Sequence, residues 1–350
     1  MNHPLDPSAA HQDDGPYDSG PYGSGSHDSG SYGDDAPGAS PALEAVGLGL
    51  RGRDEWALRG GDFTVPRGRV VGLVGPNGSG KTALLTVAAG LRPVDAGTLR
   101  VLGRAPGAPA VLPRVGVLLQ DRPLERGFTV AETLRLGRAL NPGWSEAAAR
   151  AIIDDCDIPL RARVGRLSAG QRTCVALALA LGKEPELLLL DEPMADLDPQ
   201  RRLALTGVLM KRAAEHGTTI VMSSHALSEL HLVCDHVLLM ARGRVLLADD
   251  TEFVEAAHSL MTFTCPDAAT PAIPPQMGTV IETRRSGRVL SVLVRFPLTT
   301  DGAASTAAPS LEEILLAYLR NPQAAPLIAG RFTAKAPAPG SPDTQDRPAR

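Results

Sequence analysis

From about residue 41 onward, apolar runs of strand length alternate with segments of helical periodicity. "GRVVGLVG" (68–75) reads as a buried strand ending in a Gly-rich turn, and "KTALLTVAAGL" (81–91) continues as a helix. "VGVLLQ" (115–120) is a strand running into a loop. "TVAETLRLGRAL" (129–140) opens on a capping box from Thr129 to Glu132, and "SEAAARAIIDDC" (145–156) starts on Ser145 as its N-cap. "SAGQRTCVALALALG" (168–182) is a further helix with Ser168 at its mouth. "ELLLLDEP" (186–193) and "TTIVMSSH" (218–225) are strands whose polar ends fall at their carboxyl termini, where ligands sit in open α/β sheets. Strands alternating with helices predict an α/β fold with a mostly parallel sheet.

After about residue 258 the pattern changes. "MTFTCPD", "GTVIETRRSGRVLSVLVRF" and "SLEEILLAYLR" predict a few strands and one helix, a small accessory α+β region over 259–332 set off by Pro- and Ala-rich joints. Residues 1–40 are a Gly/Ser/Tyr/Asp-rich repeat and 333–350 a Pro-rich end. Neither can bury enough apolar surface to offset its ordering entropy, so both are expected to be disordered.

Composition narrows the class. Apolar runs are broken by charge or glycine before they reach spanning length, and the N-terminus lacks the basic start and apolar core of a secretory signal. The four cysteines (Cys156, Cys174, Cys234, Cys265) show no C-x-x-C spacing, which predicts neither a disulfide framework nor a zinc site and fits a reducing cytosol. The net charge of −4 comes from the first forty residues, which hold seven Asp and no Lys, Arg or Glu. The remainder is close to neutral, so no electrostatic footprint for nucleic acid is present.

The chemistry starts at "GPNGSGKT". Gly75, Pro76, Asn77, Gly78, Ser79, Gly80, Lys81 and Thr82 fit the phosphate loop G-x-x-x-x-G-K-[ST], with a strand before and a helix after. Glycines let successive backbone N–H groups curl around an anion, and the helix dipole adds to them. Lys81 would reach the β and γ phosphates of ATP, and the Thr82 hydroxyl would ligate Mg²⁺. "LLLLDEP" supplies Asp191 as a second Mg²⁺ partner through water. It also supplies Glu192 as the base that takes a proton from the attacking water.

"LSAGQ" (Leu167, Ser168, Ala169, Gly170, Gln171) resembles the LSGGQ signature of ABC ATPases and precedes "LLLLDEP" at that family's distance. Gln120 resembles the Q-loop glutamine, "ADLD" ending at Asp198 the D-loop, and His225 the switch histidine. The resemblance covers about residues 41–258. It implies an ABC-type P-loop ATPase with a RecA-like core, an N-terminal antiparallel β subdomain and a helical subdomain at about 121–180. It further implies that Gln120 joins Thr82 and Asp191 around Mg²⁺, and that His225 orients the γ-phosphate and Glu192. In a head-to-tail dimer each Ser168 segment would close over the other subunit's ATP. The implied setting is the cytoplasmic face of a bacterial membrane, bound peripherally to a separately encoded permease, with no nucleic acid. The C-terminal helix resembles export-type subunits for drugs, antibiotics or lipophilic compounds; importers, and soluble members acting on nucleic acid or ribosomes, are the alternatives. Three positions depart from the pattern: Ala169 replaces a glycine, Asp196 a small residue and Ala83 a frequent hydroxyl.

Trp56 in "RGRDEWALRG" poses a separate question. ABC ATPases stack adenine on an aromatic within a pattern like Y-G-x-x-x-A-L. Aligning Ala57 and Leu58 with that pattern puts the ring position on Gly52. Trp56 is thus a candidate adenine stack only from a neighbouring position, and strand alternation would turn it away from Ala57's side. Core packing is the competing reading, with the guanidinium of Arg51 or Arg53 as the alternative cover for the base.

Overall fold

The computed structural model describes residues 40–52, 55–224, 233–264, 278–296 and 305–329. Both tails, together with Arg53, His225 and Cys265, lie outside the described residues. A three-stranded antiparallel sheet joins β1 (Leu43–Arg51), β2 (Trp56–Val65) and β4 (Ala96–Val101) in the order β2-β1-β4. This is the expected N-terminal β subdomain.

The central sheet has seven strands: β3 (Val70–Val74), β5 (Val115–Leu118), β6 (Leu187–Leu190), β7 (Thr219–Ser224), β8 (His236–Ala241), β9 (Arg244–Asp250) and β14 (Leu327–Ile328). Their order is β14-β9-β8-β3-β7-β6-β5. All neighbours are parallel except β8 with β9. Every residue of β3 and β6 is buried, as expected of strands covered on both faces, which is why they read as unbroken apolar runs.

Between β5 and β6 run three helices: α2 (Val130–Leu140), α3 (Glu146–Asp155) and α4 (Ala169–Gly182). Thr129 and Ser168 each close a capping box, with Glu132 and Gln171 respectively, and Ser145 accepts from the Ala148 N–H. Packing α3 against α4 brings Cys156 and Cys174 together with Cα atoms 6.7 Å apart, and the two form a disulfide. The expectation of free thiols fails at this pair. Sequence spacing registers only cysteines close in the chain, whereas here two helices create the contact. Cys234 is free and buried, and its thiol is pushed up to about 12 by burial.

The C-terminal region carries the expected strands and helix, and part of it packs into the main core. The strands β10 (His258–Thr264), β11 (Thr279–Ser286), β12 (Val289–Arg295) and β13 (Ser305–Ala307) form an antiparallel sheet. The helix α6 (Leu311–Arg320) then buries Leu311, Ile314, Leu315 and Tyr318 in the same core as the central sheet. β14 pairs with β9 at that sheet's edge. A two-residue strand is too short to register as an apolar pattern.

His258 anchors this junction. Its Nδ1–H donates to the Val254 carbonyl (2.6 Å), so Nε2 must accept from the Tyr318 hydroxyl (3.1 Å), which itself accepts from Arg295 (3.4 Å). Burial, with Arg295 acting in the same direction, pushes the imidazole down to about 4. The unfolded chain therefore takes up this proton first. The stabilisation is complete above the ordinary value of about 6.5 and is lost as pH falls through about 4, costing about 3 kcal/mol. Urea midpoints at pH 7 and pH 4.5 check this: His258→Gln should lower stability at pH 7 but flatten the acid slope by about one proton.

Candidate nucleotide site

The phosphate loop forms where β3 ends and α1 (Lys81–Ala88) begins. Gly80 is the N-cap of α1 at φ 98°, a left-handed conformation, and a Cβ there would press on Ala57 of β2 at 3.1 Å. The loop is thereby seated against the antiparallel subdomain. Lys81 is buried, its Nζ donating to the carbonyls of Gly75 (2.7 Å) and Pro76 (3.3 Å). Burial lowers its pKa from the ordinary value, while Glu192 and Asp191 pull it the other way. The buried Ser79 hydroxyl has no hydrogen-bond partner among the described residues.

A cleft of about 380 Å³ brings Asn77, Gly78, Gly80, Lys81 and Thr82 together with Gln120, Asp191 and Glu192. Its other wall is Gly52 and Ala57. Asp191 and Glu192 follow β6. The Asp191 N–H donates to the Leu118 carbonyl (2.8 Å), which docks the acidic pair against β5. Ser223, in β7, donates its hydroxyl to Asp191 Oδ1 (2.6 Å) and accepts from the Glu192 N–H (2.8 Å). One buried serine thus orients both acids. Sequence reasoning missed it, although the polar end of "TTIVMSSH" was a usable signal.

Glu192 adopts φ 49°, which costs a non-glycine residue about 1–3 kcal/mol and persists only where surroundings enforce it. Asp191 Oδ2 is buried and has no hydrogen-bond partner among the described residues. With the exposed Thr82 and Gln120 side chains on the same cleft, this gives a carboxylate, a hydroxyl and an amide oxygen. Such hard oxygen donors, few in number, fit Mg²⁺, which commonly takes its remaining ligands from water and phosphate.

The signature residues lie elsewhere. Leu167 to Gln171 form the start of α4, with Ser168 as its N-cap, and none of them lines the cleft. The helix α5 (Pro199–His216) begins at Asp198, whose side chain accepts from the Arg201 N–H (2.9 Å). His225 lies outside the described residues, so its position relative to Glu192 is not part of this geometry.

Trp56 does not line the cleft. Its ring packs over Gly49, where a Cβ would come within 2.7 Å of the indole, with the Arg51 and Arg59 guanidinium groups 5.1 and 5.7 Å from the ring centroid. It lines a separate basin with Arg59, Arg242 and Arg244. Neighbouring strand residues face opposite ways, so Ala57 and not Trp56 looks into the cleft. Trp56→Ala is expected to leave ATP affinity within about twofold, because cation–π and packing losses of about 1–2 kcal/mol fall on the β1–β2 hairpin instead. Titration with a fluorescent ATP analogue measures this.

Comparison with known proteins agrees with these features. The family model described as "ABC transporter" matches residues 58–195. The chain is 36% identical over 220 residues to the Nod factor export ATP-binding protein I of Ralstonia nicotianae, covering 59% of this chain and 66% of that protein. It is 34% identical over 217 residues to the aliphatic sulfonates import ATP-binding protein SsuB 2 of Agrobacterium fabrum, covering 60% and 80%. A solved structure of an ATP-binding subunit of an ABC transporter superposes with TM-score 0.56 at 26% identity, covering 61% of this chain and 92% of that one. The chain belongs to the family of ABC transporter ATP-binding subunits, which are ATPases.

Proposed function

We propose that this chain hydrolyses ATP to energise a separately encoded bacterial membrane permease, to which it binds peripherally on the cytoplasmic face. The cargo class we propose is a drug, antibiotic or lipophilic compound, moved outward. The observation that carries the reading is the convergence of phosphate loop, Gln120, Asp191 and Glu192 on one cleft. Mg²⁺ held by Thr82, Gln120 and Asp191 would neutralise charge on the phosphates. Lys81 binds the same phosphates, and Glu192 accepts a proton from the attacking water. Because Leu167–Gln171 lie outside the cleft, the reading has a second copy, head to tail, supply them.

An apolar trough supports the permease. Leu91 and Leu112 flank one hollow of about 300 Å³, and Phe128, Leu136 and Leu140 an adjoining one of about 370 Å³. Leu91 and Leu140 are 63% and 70% exposed. Contiguous exposed apolar surface of this kind marks an interaction site. The segment Gln120–Phe128 runs from the ATP cleft into the trough, linking the two physically. No helix among the described residues is long and apolar enough to cross a membrane, so the proposal gives that task to the permease. Similarity to an export subunit supports outward transport, and similarity to the sulfonate subunit makes import the second reading.

Two measurements test this. Chain purified from detergent-solubilised membranes should carry a polytopic membrane protein; recovery only with ribosomes or DNA would remove the transporter reading. Ser168→Ala should lower turnover about tenfold or more while the separated subunit keeps its ATP affinity. Equal loss of both would contradict the shared site.

A further inference from the structure

Arg122 stands two residues after Gln120, and Asp196 two residues before Asp198. Arg122 Nη1 lies 2.7 Å from Asp196 Oδ2, with the arginine side chain 12% exposed and the carboxylate 39%. Neither partner is loosely held. Arg122 is left-handed at φ 44°, its N–H donating to the Leu119 carbonyl (3.1 Å) and its carbonyl accepting from Leu124 (2.7 Å). Asp196 sits in a tight turn closed by Ala195 N–H to the Glu192 carbonyl (3.3 Å) and Leu197 N–H to the Met194 carbonyl (3.2 Å). Its carbonyl oxygen would be 3.0 Å from a Cβ at Gly170, so the turn also rests on the signature segment. Arg122 also lines the apolar trough.

We propose that Arg122 and Asp196 are positioning residues that join the loop carrying Gln120 to the turn carrying Glu192. Neither residue lines the cleft. The pair acts by holding two loops in one relation, and a shift of about 1 Å in such a relation can cost about a hundredfold in rate. Asp196 replaces the small residue the family pattern leads one to expect, and the structure gives the replacement a partner. The inference rests on the head-to-tail reading above.

A double-mutant cycle on the full chain tests it, reading turnover, ATP affinity of the separated subunit and melting temperature. Arg122→Ala and Asp196→Ala should each lower kcat about tenfold with ATP affinity within about twofold. The double variant should be no worse than either single one, because the second removal has nothing left to break. Arg122→Lys should restore kcat to within about threefold, since one ammonium contact reaches the same carboxylate oxygen. Losses that multiply to about a hundredfold would overturn the proposal, as would unchanged kcat with only a lower melting temperature. The same cycle is read without turnover as ATP-induced dimerisation in the Glu192→Gln background. There each single and the double variant should weaken the dimer equally. If Glu192→Gln alone forms no ATP-dependent dimer, the head-to-tail reading fails. If it dimerises but the pair's effects are additive, only the positioning pair fails.

Discussion

Glu192→Gln is expected to reduce ATP turnover by about 10²–10⁴ while leaving ATP binding intact. Glutamine has the same shape, so the backbone at φ 49° and the Glu192 N–H bond to Ser223 should survive. What disappears is the carboxylate proposed to accept the proton of the attacking water. A loss of that size raises the barrier by about 3–5 kcal/mol. The proposed phosphate contacts come from the loop at Gly75–Thr82, so affinity should stay within about twofold. With binding kept and turnover stopped, a dimer should accumulate on adding ATP, which light scattering detects. Turnover within threefold of the unaltered chain would remove Glu192 as the base.

The second large effect falls on binding. A Cβ at Gly75 would run into the Met240 carbonyl oxygen and the Ser79 hydroxyl. The carbonyl cannot retreat cheaply, because Met240 belongs to β8, which is paired with strands on both sides. Gly75→Ala must therefore rebuild the loop and displace the carbonyl that anchors Lys81. ATP affinity should fall by about a hundredfold or more, equivalent to about 2.7 kcal/mol. Gly78→Ala separates sterics from backbone strain. At Gly78, φ is 80° but a Cβ would meet nothing within 4 Å, so only a left-handed penalty of about 1–2 kcal/mol applies. Calorimetric titration should show Gly75→Ala as clearly the worse of the two; affinity within threefold of the unaltered chain would contradict the loop geometry.

The phosphate loop, Asp191 and Glu192 were legible because each follows an apolar strand of parallel-sheet type, where side chains must emerge at the carboxyl end. The capping box at Thr129 and the helix start at Ser168 were legible for a similar reason: local hydrogen-bonding chemistry leaves a local signature. What escaped depends on contacts between distant segments. Ser223 acquires its role only when β7 lies beside β6. Cys156 meets Cys174 only through helix packing. Trp56 fell between the two cases, since strand alternation argued against the cleft and the room left by Gly49 could be seen only in the fold. The site residues with the clearest family pattern therefore emerged first, and those that orient them emerged only from the structure.

The pairing of β14 with β9 has a consequence for how the protein is made. The sheet that carries the ATP cleft gains this edge strand only when residues Leu327–Ile328 have been synthesised, after nearly all the rest. Until then the emerging chain presents an open row of backbone donors and acceptors along β9, a template for pairing with another nascent copy. A product ending near residue 258 would leave that edge uncovered and is expected to aggregate more readily than the full chain.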